Sequence, residues 1–85
     1  MPLVSEFYGI KVYMYSGDHN PPHLHAKYSG KEAVFTFDGE VDSGFLPKNQ
    51  RHMMQAWIAI HLDEIYENWT MLQNKEGFKK IAPLK

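Results

Sequence analysis

Residues 18 to 28, DHNPPHLHAKY, contain the side chains of this sequence that are best suited to chemistry. Three of the five histidines, His19, His23 and His25, lie in this segment, and a Pro-Pro pair separates the first from the second. Imidazole transfers protons near neutral pH, ligates divalent metals and hydrogen-bonds to phosphates and bases. The segment therefore predicts a proton-transfer site, a metal site or a nucleic-acid surface, and a plain polar face is the remaining alternative.

Alternating apolar and polar residues predict strands throughout the first half of the chain. YGIKVYMY (8–15) alternates with period two, SGDHNPP (16–22) is a breaker-rich loop, and HLHAKY (23–28) alternates again. A two-residue turn at Ser29-Gly30 then leads into EAVFTFD (32–38). The polar EVDSGF (40–45) predicts no more than a short edge strand.

The turn at Ser29-Gly30 predicts the register of the hairpin, in which His25 pairs with Val34 and Leu24 with Phe35. One sheet face is then apolar: Ile10, Val12, Met14, Leu24, Ala26, Phe35 and Phe37. We call the opposite side the far face, and it carries Lys11, Tyr13, Tyr15, His23, His25, Lys27, Val34 and Thr36. Because the two strand histidines are two residues apart, both belong to the far face.

The second half of the chain predicts helix. An apolar stripe runs through Met54, Ile58, Leu62, Ile65, Trp69 and Leu72, which favours one helix from about Pro47 to Asn74. A break near His61–Asp63, with Asp63 capping a second helix, is the alternative. The prediction is a single α+β domain over residues 1–85, with an antiparallel sheet of three to four strands (β-β-β-(β)-α) packed on one long or kinked C-terminal helix.

Composition excludes several classes of protein. The net charge is −1 and cysteine is absent, so the chain is neither a strongly basic nucleic-acid binder nor a disulfide or thiolate-zinc scaffold. Residues 1–74 carry a balance of −4 and residues 75–85 one of +3, which predicts a basic, flexible tail. No leader or membrane-spanning pattern is present, so we expect a cytoplasmic protein without a membrane partner.

The far face suits RNA. Tyr13 and Tyr15 could stack on bases, while Lys11 and Lys27 could bind phosphates. Histidines could also cleave RNA through the ribose 2′-hydroxyl, a reaction that requires no metal and no cofactor. In that hypothesis His25 is the base or acid, His23 its counterpart, Lys27 neutralises phosphate and His19 completes the site. Lys79 and Lys80 of the tail would add to RNA affinity in a salt-dependent way.

Two alternatives stay open. The far face could be a non-enzymatic interface for a protein partner or for a second copy in a homodimer, because Tyr and His suit interfaces. It could also hold a divalent metal between His23 and His25, with His19 or Asp18 as a third ligand. Bound metal would raise the melting temperature, whereas an RNA surface would respond to salt.

Four segments carry a resemblance over nearly the whole chain. FYGIKVYMY, DHNPPHLHAKY, the LPK that opens the helix and ENW at 67–69 resemble a widespread, uncharacterised bacterial family of about this length, and DHNPPHLH is the most specific part. The resemblance implies a component of a toxin–antitoxin-like or regulatory pair, encoded beside another small protein. It implies no catalytic residues.

Overall fold

Five antiparallel strands form one sheet in which the spatial order follows the chain order, β1-β2-β3-β4-β5. The computed structural model describes residues 2–17 and 19–85. The strands are β1 (Leu3–Phe7), β2 (Ile10–Tyr13), β3 (His23–Tyr28), β4 (Lys31–Thr36) and β5 (Val41–Gly44), and the helices that follow are α1 (Lys48–Ile60) and α2 (Leu62–Gln73). The α+β class is confirmed, but three to four strands on one helix is wrong.

The predicted hairpin of β3 and β4 is confirmed residue by residue. His25 pairs with Val34, Leu24 with Phe35, and all six pairs follow from the turn at Ser29-Gly30. Both turn residues have positive φ, 48° and 80°, as a two-residue hairpin turn requires. The predicted edge strand is also present, as the four-residue β5.

The sequence did not predict β1. A second tight turn at Tyr8-Gly9 joins β1 to β2, and Tyr8 adopts the left-handed region that glycine usually fills, with φ of 49°. The pairing of β1 with β2 is also irregular between Leu3 and Ser5, so Val4 and Ser5 are both buried. Because that irregularity breaks the period-two alternation, the segment lacks the usual signal of a strand.

The single long helix is a wrong prediction, because the chain breaks at His61, whose φ and ψ are −110° and 23°. The predicted cap is also wrong, since His61 is the N-cap and Asp63 lies inside the first turn of α2. The His61 N–H still donates to the Trp57 carbonyl and its own carbonyl accepts from Ile65, both at 3.0 Å. The apolar stripe therefore continues across the break, which is why periodicity alone does not show it. Within the described residues, no helix is long and apolar enough to cross a membrane.

The core lies between the helices and the predicted apolar face of the sheet. All seven residues assigned to that face are buried, and α1 and α2 contribute Met54, Trp57, Ile58, Ile65 and Leu72. Trp57 is fully buried, and its indole N–H donates to the Ala82 carbonyl at 2.9 Å. The core thus lies on one side of the sheet, and the far face is not part of it.

Residues 75–85, predicted as a flexible tail, lie against the rest of the chain. The Ile81 N–H donates to the Val4 carbonyl of β1 at 2.8 Å, and Ile81 is buried. The Asn68 amide donates to the Lys79 carbonyl at 2.7 Å and accepts from the Lys79 N–H at 2.8 Å. The tail therefore covers the outer edge of β1.

Asn68→Ala should lower the free energy of unfolding by about 1–3 kcal/mol, because both Lys79 backbone groups lose their partner in a partly buried place. Urea denaturation measures the change. Asn74→Ala is the matched control, since that exposed amide lies at the end of the same helix. Equal stability of the two variants would show that the Asn68 contacts do not hold the tail.

Candidate functional site

The far face carries the strand histidines as predicted. Leu24 and Ala26 of β3 are buried against the helices, while His23 and His25 lie on the opposite side and are partly exposed. Across the strands, His25 pairs with Tyr13 of β2 and with Val34 of β4. The sheet itself therefore fixes the spacing of these side chains.

A row of contacting rings runs along the far face and ends on a tryptophan of the helical layer, and we call it the ring row: Tyr13, Tyr15, His25, His23 and Trp69. The Tyr13 and Tyr15 rings are nearly parallel, with centroids 6.1 Å apart. Tyr15 meets the edge of His25 at 4.6 Å, and His25 meets His23 at 5.3 Å. The row ends on Trp69 of α2, 5.5 Å from His23. Each histidine is thus held by aromatic neighbours.

The loop before β3 sets the orientation of His23. The Asn20–Pro21 peptide bond is cis, and His23 Nδ1 lies 2.9 Å from the Pro21 carbonyl oxygen. A carbonyl only accepts, so Nδ1 carries the proton in this contact. In the neutral ring the lone pair is then on Nε2, which is the nitrogen that would accept a proton.

His19 and His23 share a groove of about 310 Å³, which we call the histidine groove. Thr36 of β4 and Asp42 of β5 also line it, together with Asn20, Pro21, Val34 and Ser43. The groove brings together a loop histidine, a strand histidine, a carboxylate and a hydroxyl. Two imidazoles in one groove can serve as base and acid of a single reaction.

His25 is not among the residues that line this groove. Its side chain is 18% exposed, and its Nδ1 is shielded from solvent. That atom is 3.4 Å from Glu32 Oε2. With Tyr15 on one side and His23 on the other, His25 is placed to hold the His23 ring.

Lysines collect in a second groove of about 400 Å³, which we call the lysine groove. Lys11, Lys27 and Lys31 line it with Tyr13 and Glu32. Lys11 and Lys27 are direct cross-strand partners, and the Lys27 ammonium lies 5.1 Å from the Tyr13 ring centroid. Like charges placed opposite each other repel, and a bound anion would relieve that repulsion. Their outer neighbours in the register, Glu6 and Glu32, offset part of the charge.

Residues 9–70 match the model of the family described as Domain of unknown function (DUF4160). The chain belongs to this family. Neither a curated protein nor a solved structure matches the chain. The match includes every residue that lines the two far-face grooves and ends before the tail.

Of the tail lysines, Lys79 is held beside α2, and its Nζ lies 3.3 Å from Glu67 Oε1, with both side chains more than half exposed. Lys80 is exposed. Both lie outside the DUF4160 match. The structure therefore places neither in the lining of the histidine or lysine groove.

For the metal hypothesis, residues 2–17 and 19–85 hold no group of three His, Cys, Asp or Glu residues arranged around a metal ion. The alternative that used Asp18 as a ligand lies outside the described residues.

Sequence reasoning missed Asp42 and Trp69 of this candidate site. A signal for Asp42 existed, because the turn at Asp38-Gly39 folds β5 back beside β4 and so towards Thr36. The sequence contains no signal for Trp69, because its place in the apolar stripe predicts a core residue. Trp69 is indeed only 7% exposed. Its contact with His23 depends on how α2 turns after the break at His61.

Proposed function

We propose that the far face binds single-stranded RNA and that the histidine groove cleaves it without a metal. The observation that carries this proposal is the pair of imidazoles, His19 and His23, in one groove on the face that also holds stacked tyrosines and the cross-strand lysines Lys11 and Lys27. Proton transfer, base stacking and phosphate binding are then available on one surface.

The chemistry uses two proton transfers. His23 Nε2 takes the proton of a ribose 2′-hydroxyl, and the 2′-oxygen attacks the adjacent phosphorus. The bond from phosphorus to the 5′-oxygen breaks, and that oxygen takes a proton from protonated His19. The products are a 2′,3′-cyclic phosphate and a 5′-hydroxyl end. His23 suits the base because the Pro21 carbonyl holds its Nδ1 proton.

The ring row and the lysine groove would bind the rest of the strand. Bases stack on Tyr13 and Tyr15, while Lys11 and Lys27 each hold a flanking phosphate rather than the reacting one, because they line a different groove from the histidines. Stacking and charge without base-edge contacts give binding with weak sequence preference.

The same surface supports a second part of the proposal, that the chain is one component of a toxin–antitoxin-like or regulatory pair in the cytoplasm. A small protein encoded nearby would cover the far face and keep RNA from the histidines. Aromatic rings flanked by charges are typical of such protein interfaces. A homodimer through this face is a further outcome that a molecular-mass measurement would reveal.

The direct test is a cleavage assay in EDTA with a labelled single-stranded RNA and a matched strand in which every ribose is 2′-deoxy. The proposal requires cleavage of the RNA alone and a cyclic phosphate among the products. Binding of both strands without cleavage would leave a binding module, and cleavage of the deoxy strand would exclude attack by the 2′-hydroxyl.

His25→Phe should keep the cleavage rate to within about tenfold of the wild-type rate, because a phenyl ring preserves the contacts with Tyr15 and His23 and positions the base. His25→Ala should lose more, since it removes those contacts. Single-turnover rates of the two variants measure the difference. If His25 is itself the base or acid, as the sequence alone suggests, both variants lose activity equally.

Lys11→Gln/Lys27→Gln should weaken binding of a single-stranded RNA and reduce the slope of log affinity against log salt by about 1.4, from two phosphates at about 0.7 each. Fluorescence polarisation at several salt concentrations measures the slope. Lys79→Gln/Lys80→Gln provides a matched pair of tail lysines and should have the smaller effect, because Lys79 is paired with Glu67. A larger effect of Lys79→Gln/Lys80→Gln would show that RNA binds along the tail rather than in the lysine groove.

A further inference from the structure

The sheet has one covered and one open edge. The tail covers β1 through the hydrogen bond between Ile81 and Val4. Strand β5 forms the other edge, and no strand among the described residues pairs with its outer side. Residues 42–44 of β5 are exposed. An uncovered edge offers backbone groups to an incoming strand.

A groove of about 290 Å³ adjoins this open edge, between β5 and the start of α1. Val41, Phe45 and Leu46 form its apolar side, and Phe45 is 61% exposed. Lys48 and Arg51 of α1 form its cationic side. We call it the β5 groove, and it lies at the edge of the sheet rather than on the far face.

Arg51 is the unusual group in this groove. Its Nε is shielded from solvent and has no hydrogen-bond partner within residues 2–17 and 19–85. In the same part of the chain no carboxylate forms an ion pair with Arg51 or Lys48, and the first turn of α1 contains no acidic residue. A shielded guanidinium donor without an acceptor is costly, and because solvent does not reach Nε, an acceptor in the groove would bind the other N–H groups of the same guanidinium.

We propose that the β5 groove binds an extended acidic segment of a partner protein, which adds a sixth strand beside β5 and places a carboxylate on Arg51. Strand addition supplies backbone hydrogen bonds, and pockets for alternate side chains supply specificity. The planar guanidinium suits a carboxylate, and Phe45 offers an apolar contact to the next side chain on the same face. The apolar lining and the adjoining strand edge favour a peptide over the phosphates of RNA.

The test uses a labelled pool of ten-residue peptides in which glutamate alternates with valine, threonine or phenylalanine. Fluorescence polarisation should show saturable binding to the wild-type chain. Arg51→Gln should weaken peptide binding by about tenfold or more, because it removes both the charge and the planar guanidinium. Arg51→Lys should bind more tightly than Arg51→Gln but less tightly than the wild-type chain, because lysine keeps the charge and lacks the planar group. Thermal melting confirms that each variant is folded.

Two matched controls separate the parts of the proposal. The same pool with alternate backbone nitrogens methylated should lose binding if the segment adds a strand, and a pool with lysine in place of glutamate should lose it if the carboxylate is needed. Lys75→Gln, beyond the end of α2 and outside the lining of this groove, should leave peptide affinity unchanged. No binding of the acidic pool, or equal binding by Arg51→Gln, would overturn the proposal. Binding of labelled oligouridylate that depends on Arg51, without peptide binding, would assign the groove to RNA instead.

Discussion

His23→Ala should reduce the rate of RNA cleavage by a factor of about 10²–10⁴, the usual contribution of a positioned general base. The size of the effect follows from the place of His23 in the groove. It is the histidine whose Nδ1 is held by the Pro21 carbonyl and whose ring contacts both His25 and Trp69. Alanine removes the proton acceptor and both ring contacts together.

His52→Ala is the matched control, because His52 is an exposed histidine on α1, outside the histidine groove. Single-turnover cleavage in EDTA gives the rate, and polarisation with the 2′-deoxy strand gives the affinity. We expect His23→Ala to lose rate while keeping affinity within a few fold, and His52→Ala to lose neither. His19→Gln should resemble His23→Ala if the two form the base and acid. Cleavage by His23→Ala at the His52→Ala rate would refute the catalytic assignment.

Growth and total-RNA integrity in a bacterial host extend this prediction to the cell. Induction of the wild-type chain should cause arrest with RNA breakdown, and His23→Ala/His25→Ala should cause neither. Equal arrest by both forms would point to a partner-binding role for the far face rather than to cleavage.

Local chemistry explains what the sequence predicts well here. The turn at Ser29-Gly30 and the alternation on either side of it define the β3–β4 register, because a two-residue turn leaves no freedom in the pairing. That register alone places His23 and His25 on the far face. The missed strand β1 lacks such a signal, since its irregular pairing buries Ser5 and its turn uses Tyr8 at positive φ.

Long-range geometry explains what the sequence does not predict. His19, Thr36 and Asp42 share a groove only because a loop, a central strand and the edge strand meet there. The break at His61 keeps the apolar stripe in phase, so no periodicity argument reveals it. The direction of α2, and with it the contact of Trp69 with His23, follows from that break.

Gly44→Ala should lower the free energy of unfolding by about 2–5 kcal/mol, combining about 1–2 for a side chain in the left-handed region with about 1–3 for overpacking. Gly44 has φ of +78°, and a Cβ there would clash with the Glu32 carbonyl oxygen and lie 2.9 Å from the Ala33 Cα. Both contacts are with the backbone of β4, so no side-chain rotation relieves them.

Gly77→Ala separates the clash from the backbone strain. Gly77 also has positive φ, +89°, but a Cβ there would meet nothing within 4 Å. Gly77→Ala should therefore lower the free energy of unfolding by only about 1–2 kcal/mol, which is the backbone strain alone. Urea denaturation and melting temperatures compare the two, and for a domain of this size each kcal/mol shifts the melting temperature by about 4–8 °C. Equal losses would show that β5 yields easily to the added methyl group.

The same variant links the edge strand to function. If Gly44→Ala pushes β5 away from β4, Asp42 leaves the histidine groove and Val41 leaves the β5 groove. RNA cleavage and peptide binding should then fall together in the molecules that remain folded, whereas Arg51→Gln should affect peptide binding alone. A Gly44→Ala chain that keeps both activities would show that neither groove depends on the position of β5.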